Sequence, residues 1–172
     1  FKLDVMPVFT KAGCNAGSCH GASRGKDKFI LALYGFDPIG DYRRLTTEYP
    51  GRRINLAVPE DSMLLTKAIN AVPHTGGKLF DTDSFEYQTI LGWLKNGAKL
   101  DETDIKTPIK LEVFPKETVI QGKSTQNITV IATYSDGSDR DVTNLTDFFS
   151  NDTSVGFINK AGKLANNNSC LL

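Results

Sequence analysis

The hydrophobic pattern of this chain changes near Lys106, and the change divides the sequence into two halves. Before that point, apolar residues recur at helical spacing between Gly- and Pro-containing loops. After it, short runs of Val, Ile and Thr alternate with polar residues, which is typical of strands. Residues 101–108 between the halves are polar and end in a proline, which suits a short linker. For a chain of 172 residues we therefore predict a multidomain α + β protein, with domains at 1–106 and 107–172.

Three segments of the first half have the periodicity of helices. The first covers residues 3–12, and the second follows Pro59. The third is the clearest, because Asp83 or Ser84 can cap its start and Gly97 can end it. A weaker helix is predicted at residues 41–45, and the apolar segment 28–34 fits either a short strand or a buried turn of helix. The apolar stripe of the second segment consists of Leu64, Leu65, Ala68, Ile69 and Val72. The predicted buried face of the third segment consists of Tyr87, Ile90, Leu91 and Leu94.

The second half carries the signals of short antiparallel strands. Alternation predicts strands at residues 109–113, 128–134 and 155–158. Asp136 followed by Gly137 is a strong hairpin signal, and a second turn is predicted at Gly162. Short strands at this spacing indicate an antiparallel β-sandwich. To Cys170, near the end of the chain, we assign no function.

The chemistry of the sequence is concentrated at Cys14-Asn-Ala-Gly-Ser-Cys19-His20. Two cysteines, the second followed at once by histidine, is the order that attaches c-type haem. The thiols add to the two vinyl groups of the macrocycle, and the adjoining imidazole reaches the iron. The spacer has four residues rather than two, which lengthens the loop without moving Cys19 relative to His20. The motif predicts one covalent haem c, held by Cys14 and Cys19, with His20 as the proximal iron ligand.

Two simpler sites would use the same residues. In an oxidising compartment, Cys14 and Cys19 would form a small-loop disulfide. In the second alternative, Cys14, Cys19, His20 and His74 would make a Cys2His2 zinc site. The adjacency of Cys19 and His20 argues against zinc, because neighbouring residues would have to converge on one tetrahedral ion. Haem explains this adjacency best.

His74 is the only other histidine and the candidate for the sixth iron position. It lies in the glycine-rich segment 72–77, directly after the second predicted helix. Met63 and Met6 are rivals for this position, although Met63 also fits a packing role. Ligation by two imidazoles favours a lower potential than a His/Met pair and leaves no open position for gas binding or peroxidase chemistry.

Arg52 and Arg53 are candidates to pair with the haem propionates, because guanidinium groups pair with carboxylates. The alternative is that both are exposed loop residues.

Composition excludes other classes of function. Lys and Arg balance Asp and Glu at 20 each, so the chain has no electrostatic footprint for a nucleic acid. Its apolar runs fall short of the roughly 20 residues of a membrane span, so no transmembrane segment is predicted. A hydrolytic enzyme is not expected, since no Ser/His/Asp set remains once both histidines bind iron. Because the sequence begins at Phe1, we expect a trimmed chain, in which a missing signal peptide says little about compartment.

Residues 4–22, which contain the cysteine motif, resemble the cytochrome c-like domain of large secreted planctomycete proteins. Segments 35–38, 50–53, 73–78 and 93–98 extend this resemblance over almost all of residues 1–100. The resemblance implies a small, mostly helical class I cytochrome c-like fold in which a four-residue spacer is normal and His74 is the distal ligand. It favours a periplasmic or secreted electron-transfer protein, rather than an enzyme, that works with a redox partner protein.

Residues 108–164 resemble the bacterial Ig-like domain of group 2. This resemblance implies an Ig-like β-sandwich that serves as a spacer or adhesion module and makes protein or carbohydrate contacts. Two further strands of that family are missing here, so we expect the domain to be truncated.

Two other functions stay open. One is a non-haem binding or structural protein with a zinc or disulfide staple, and the other is a haem sensor in which His74 leaves the iron.

Overall fold

The computed structural model describes residues 1–101, 103–121 and 124–166, which leaves Cys170 and its neighbours outside the described residues. The chain divides into two compact units, Phe1–Glu102 and Thr103–Leu172. The first contains helices and the second antiparallel strands, so the mixed α + β class is confirmed. No helix in the described ranges is long and apolar enough to cross a membrane.

Residues 1–101, the described part of the first unit, contain four α-helices, of which the last was predicted most closely. They are α1 (Val5–Lys11), α2 (Pro38–Thr46), α3 (Met63–Ala68) and α4 (Phe85–Lys95). Helix α4 begins where the Ser84 hydroxyl accepts a hydrogen bond from the Tyr87 amide at 3.1 Å. It is followed by Gly97 at φ +83°, a left-handed conformation that favours glycine. All four predicted inward residues of α4 are buried, and so is Trp93.

Helices α1 and α4 pack together and form the core below the predicted site. Phe9 of α1 and Leu94 of α4 are each 1% exposed. An ion pair at 3.9 Å joins Lys11 Nζ of α1 to Glu86 Oε1 of α4. This packing fixes the end of α1, from which the cysteine loop starts.

Two predictions for the first unit were wrong. The apolar stripe predicted up to Val72 ends early, because α3 stops at Ala68 and Asn70 takes a positive φ of 60°. Segment 28–34 forms neither a strand nor a turn of α-helix; it begins with an isolated bridge and ends in the 3-10 turn Leu33–Gly35. Two of its backbone amides donate to the cysteine loop, Leu31 to the His20 carbonyl at 2.8 Å and Tyr34 to the Asn15 carbonyl at 3.1 Å.

Residues 103–121 and 124–166, the described part of the second unit, form two antiparallel sheets of three strands each. The strands are β1 (Pro108–Phe114), β2 (Thr125–Asn127), β3 (Thr129–Tyr134), β4 (Asp139–Asp141), β5 (Gly156–Ile158) and β6 (Lys163–Asn166). One sheet has the order β1-β3-β4 and the other β2-β6-β5. The predicted hairpin is confirmed, since β3 pairs with β4 across a turn in which Gly137 has φ +81°. The short polar strand β2 was missed, because its three residues carry no apolar alternation.

Asp41 of α2 anchors the segment that leaves the cysteine loop. The residue is fully buried, and its Oδ1 accepts hydrogen bonds from the Ala32 amide at 2.7 Å and from Arg44 at 2.8 Å. Its Oδ2 has no hydrogen-bond partner within the described part of the chain. Burial raises the pKa of Asp41, and the nearby Asp37 carboxylate adds to the rise, while the hydrogen bonds from Ala32 and Arg44 offset only part of it.

We predict that the difference in stability between the wild type and an Asp41→Asn variant shifts in favour of the wild type as the pH falls. A raised pKa means that the folded state holds the carboxyl proton more tightly than the unfolded chain does. The wild type should therefore gain stability over the variant as pH falls from neutral towards the ordinary pKa of aspartate. Urea unfolding of both proteins across that range checks this, and a pH-independent difference between them would contradict it.

Candidate functional site

A cavity of about 510 Å³ lies in the helical unit, between the end of α1, helix α3 and the loops around them. This volume falls within the range of about 300–1,000 Å³ that is typical of ligand and cofactor sites. All six residues predicted for the site line this cavity. They are Cys14, Cys19, His20, Arg52, Arg53 and His74.

The cysteine loop is a closed turn in which the four-residue spacer has a defined conformation. The His20 amide donates to the Cys14 carbonyl at 3.0 Å, and the Cys19 amide donates to the Ala16 carbonyl at 2.9 Å. Gly21 lies so close to the turn that a Cβ added there would be 2.1 Å from the Asn15 carbonyl oxygen, so only glycine fits at this position. The four-residue spacer therefore forms a turn that is stabilised by its own backbone hydrogen bonds.

Asn15, inside the spacer, fastens this turn to α1. The residue is fully buried, and its Nδ2 donates to Thr10 Oγ1 of α1 at 3.0 Å. Its backbone carbonyl accepts from the Tyr34 amide at 3.1 Å. Sequence reasoning missed this anchor, because an asparagine in a loop is usually exposed. The effect is to fix the backbone next to Cys14.

His20 is held in the orientation typical of a metal ligand. Its Nδ1 lies 3.0 Å from the Phe29 carbonyl oxygen, and the two rings lie 4.6 Å apart. When Nδ1 donates this hydrogen bond, the lone pair of Nε2 is left for a ligand. Burial lowers the pKa of His20, and the charge of His74 lowers it further despite the bond to Phe29. This shift favours the neutral imidazole, which is the form that binds metals.

His74 shows the same arrangement on a second loop. Its Nδ1 lies 2.9 Å from the Gly77 carbonyl oxygen, and the Gly77 amide donates to the His74 carbonyl at 2.9 Å. This loop is tied to α3 at two points, because Lys67 Nζ donates to the Pro73 carbonyl and the Leu79 amide donates to the Ala68 carbonyl, both at 2.8 Å. One cavity therefore receives two imidazoles, each held through Nδ1 by a backbone carbonyl.

The charged groups of the cavity lining are mostly cationic. Its basic side chains are Lys26, Arg52, Arg53 and Lys67, and within the described lining they face the single carboxylate of Asp27. This balance favours a ligand that carries negative charge.

Arg52 and Arg53 were both candidates to pair with haem propionates, but their surroundings differ. Arg53 is 9% exposed, and its guanidinium stacks on the Phe29 ring at 4.4 Å. It also donates to the carbonyls of Arg44 and Glu48 and pairs with the Glu48 carboxylate at 3.0 Å. Arg52 is exposed, and its guanidinium makes no hydrogen bond or ion pair with any residue in the described ranges. Arg53 therefore holds the loop together, while Arg52 can reach an anionic ligand.

The methionines also differ in their placement. Met63 lines the cavity at the start of α3, so it remains a rival of His74. Met6 is buried in α1 at 4% exposure and does not line the cavity.

The two alternative cysteine sites are not formed in this structure. Cys14 and Cys19 are half-buried, and no disulfide joins them. Among residues 1–101, 103–121 and 124–166, no three His, Cys, Asp or Glu side chains lie close enough together to hold a metal ion. A haem iron needs only two side-chain ligands, because its other ligands are ring nitrogens. Comparison of the chain with protein-family models, curated proteins and solved structures gave no match.

We predict that Arg53→Ala destabilises the protein by about 1.5–3 kcal/mol, because it removes several hydrogen bonds of a charged group that is buried. Its neighbour provides the matched control, since Arg52→Ala should change stability by no more than about 0.5 kcal/mol. Chemical unfolding of the full chain measures both changes. Equal losses for the two variants would contradict the division of roles.

Proposed function

We propose that the helical unit is a c-type cytochrome domain that binds one haem covalently through Cys14 and Cys19 and transfers electrons. One observation carries the proposal: both cysteines and both histidines line the same cavity, and each imidazole is held at Nδ1 by a backbone carbonyl. In this proposal His20 and His74 would both bind the iron. The resemblance to a cytochrome c-like domain supports the same reading.

The lining of the cavity fits a group that is both apolar and anionic. Aromatic and aliphatic side chains contribute to its walls, among them Phe9, Phe29 and Leu31, while cationic side chains lie among them. An apolar macrocycle matches the former, and its two propionates match the latter. Of the two arginines proposed for the propionates, Arg52 has the guanidinium that is not already engaged by protein groups.

Haem, when bound, supplies the redox-active iron, and the chain sets its environment. Cys14 and Cys19 would hold the macrocycle, and His20 and His74, whose Nδ1 atoms lie against backbone carbonyls, would present their Nε2 atoms to the iron. The ring of Phe29 packs against the ring of His20. With both histidines bound to the iron, no position would remain open for a small molecule, which would favour electron transfer to a redox partner protein.

The strand unit is proposed to be an Ig-like spacer or adhesion module that makes protein or carbohydrate contacts. Its two antiparallel sheets, with strand orders that do not follow the chain, support a β-sandwich. For the whole protein, the proposal includes a periplasmic or secreted location.

We expect the protein, produced in a host that matures c-type haem, to show a Soret band that stays with the polypeptide after denaturation and acid–organic extraction. Covalent thioethers resist this treatment, whereas a haem held by ligation alone is extracted. A double Cys14→Ser, Cys19→Ser variant is the control and should lose its haem to the solvent. A colourless wild-type protein from such a host would overturn the proposal, and zinc analysis would then follow.

We expect His74→Ala to open the sixth position of the iron. The reduced variant should bind carbon monoxide, while the wild type should not, because both histidines would bind its iron. Met63→Ala is the matched control, since Met63 lines the same cavity and should leave the spectrum unchanged. Binding of carbon monoxide by Met63→Ala and not by His74→Ala would assign the ligand to the methionine.

A further inference from the structure

We propose that Gly76 is a positioning residue for the distal iron ligand. The absence of a Cβ at Gly76 leaves the space in which the imidazole of His74 keeps its orientation towards the cavity. This inference rests on the proposed haem function. It adds Gly76 as the residue that decides whether His74 stays bound to the iron.

The contact involves several atoms of the imidazole. A Cβ added to Gly76 would lie 2.9 Å from Cε1, 3.3 Å from Nε2 and 3.4 Å from Nδ1 of His74. The first distance is shorter than packed carbon atoms tolerate, so an added methyl group would have to push the ring aside. The atom that it crowds most is bonded to Nε2, the proposed iron ligand.

The backbone of Gly76 does not itself require glycine. Its φ lies outside the left-handed region, whereas Gly77 has φ +69°. Alanine at position 76 is therefore compatible with the chain conformation, and its effect comes from the contact with His74. This separates the Gly76 test from a simple test of loop strain.

The His74 ring cannot move away without losing a partner. Its Nδ1 is held by the Gly77 carbonyl at 2.9 Å, and the Gly77 amide returns a bond to the His74 carbonyl. Lys67 holds the preceding residue, Pro73, through its carbonyl at 2.8 Å. A displaced ring would lose the Nδ1 hydrogen bond, and its Nε2 atom would move together with the ring. Both the loss of the hydrogen bond and the shift of Nε2 would then weaken binding to the iron.

The proximal ligand is held by different means. The ring of His20 packs against the Phe29 ring, and the atoms nearest to an added Cβ of the glycine beside it, Gly21, are backbone atoms of Asn15 and Ala16. The residues from 71 to 76 are exposed, apart from the half-buried His74. The distal ligand therefore depends on a surface loop and on a glycine contact, and the atoms nearest to an added Cβ at Gly76 all belong to the His74 ring.

The test compares Gly76→Ala with Gly92→Ala in the full haem-loaded chain. Gly92 lies in α4, where an added Cβ meets no atom within 4 Å, so this variant controls for the substitution itself. We expect Gly76→Ala to weaken iron binding by His74 by about 10- to 100-fold, as is typical when the surroundings of a metal ligand are disturbed. A five-coordinate spectrum and carbon monoxide binding by the reduced protein report this loss. Gly92→Ala should look like the wild type, and haem attachment, read by mass, should be complete in both.

The double variant His74→Ala, Gly76→Ala tests whether Gly76 acts through the ring. Its spectrum and carbon monoxide affinity should equal those of His74→Ala, because the ring on which Gly76 acts is gone. A further change in the double variant, or a wild-type spectrum for Gly76→Ala while His74→Ala opens the site, would overturn the inference and leave the proposed function intact. A wild-type spectrum for His74→Ala would overturn the ligand assignment and the Gly76 inference together. A protein without covalent haem would overturn the cytochrome proposal itself.

Discussion

The return of the chain onto His20 is the constraint on which the cavity depends. The Leu31 amide donates to the His20 carbonyl, and the Phe29 carbonyl lies at Nδ1 of the same residue. These bonds bring the segment after the cysteine motif back over the motif, so Phe29 and Leu31 become walls of the cavity. Asp41 then holds the next residue, Ala32, to α2. Without this return, His20 would sit on an exposed loop with no fixed ring orientation.

At His20, burial and the charge of His74 outweigh the groups that raise its pKa. The net effect lowers the pKa of His20, although the Phe29 and Lys26 backbone and the charge of Asp27 raise it, and so favours the neutral imidazole. The cationic residues of the lining favour an anionic ligand, yet the most buried of them, Arg53, is satisfied by protein groups. The charge that an incoming ligand meets first is therefore that of the exposed Arg52, while Arg53 keeps the loop closed against Phe29.

Prediction from sequence succeeded where a signal is local and failed where partners are distant. Helix α4 was predicted with its cap and its inward residues, because the Ser84 cap and the stop at Gly97 act within a few residues. The stripe through Val72 was wrong, because apolar spacing does not reveal that Asn70 takes a positive φ of 60° just after α3. Segment 28–34 was ambiguous because some of its partners are distant in sequence: the Leu31 and Tyr34 amides donate to the cysteine loop and the Ala32 amide donates to Asp41.

The sequence by itself determined the chemistry available to this protein. Two thiols, an adjoining imidazole and a second histidine are properties of the covalent chain, and the spacing of Cys14, Cys19 and His20 is set along it. Only the tertiary structure decided that His74 shares their cavity, that Arg52 and Arg53 differ in engagement, and that Asn15 is a buried anchor. Only it decided that Gly76 lies against an imidazole. Burial, hydrogen-bond partners and close contacts depend on which distant segments pack together, and no local pattern of residues specifies that.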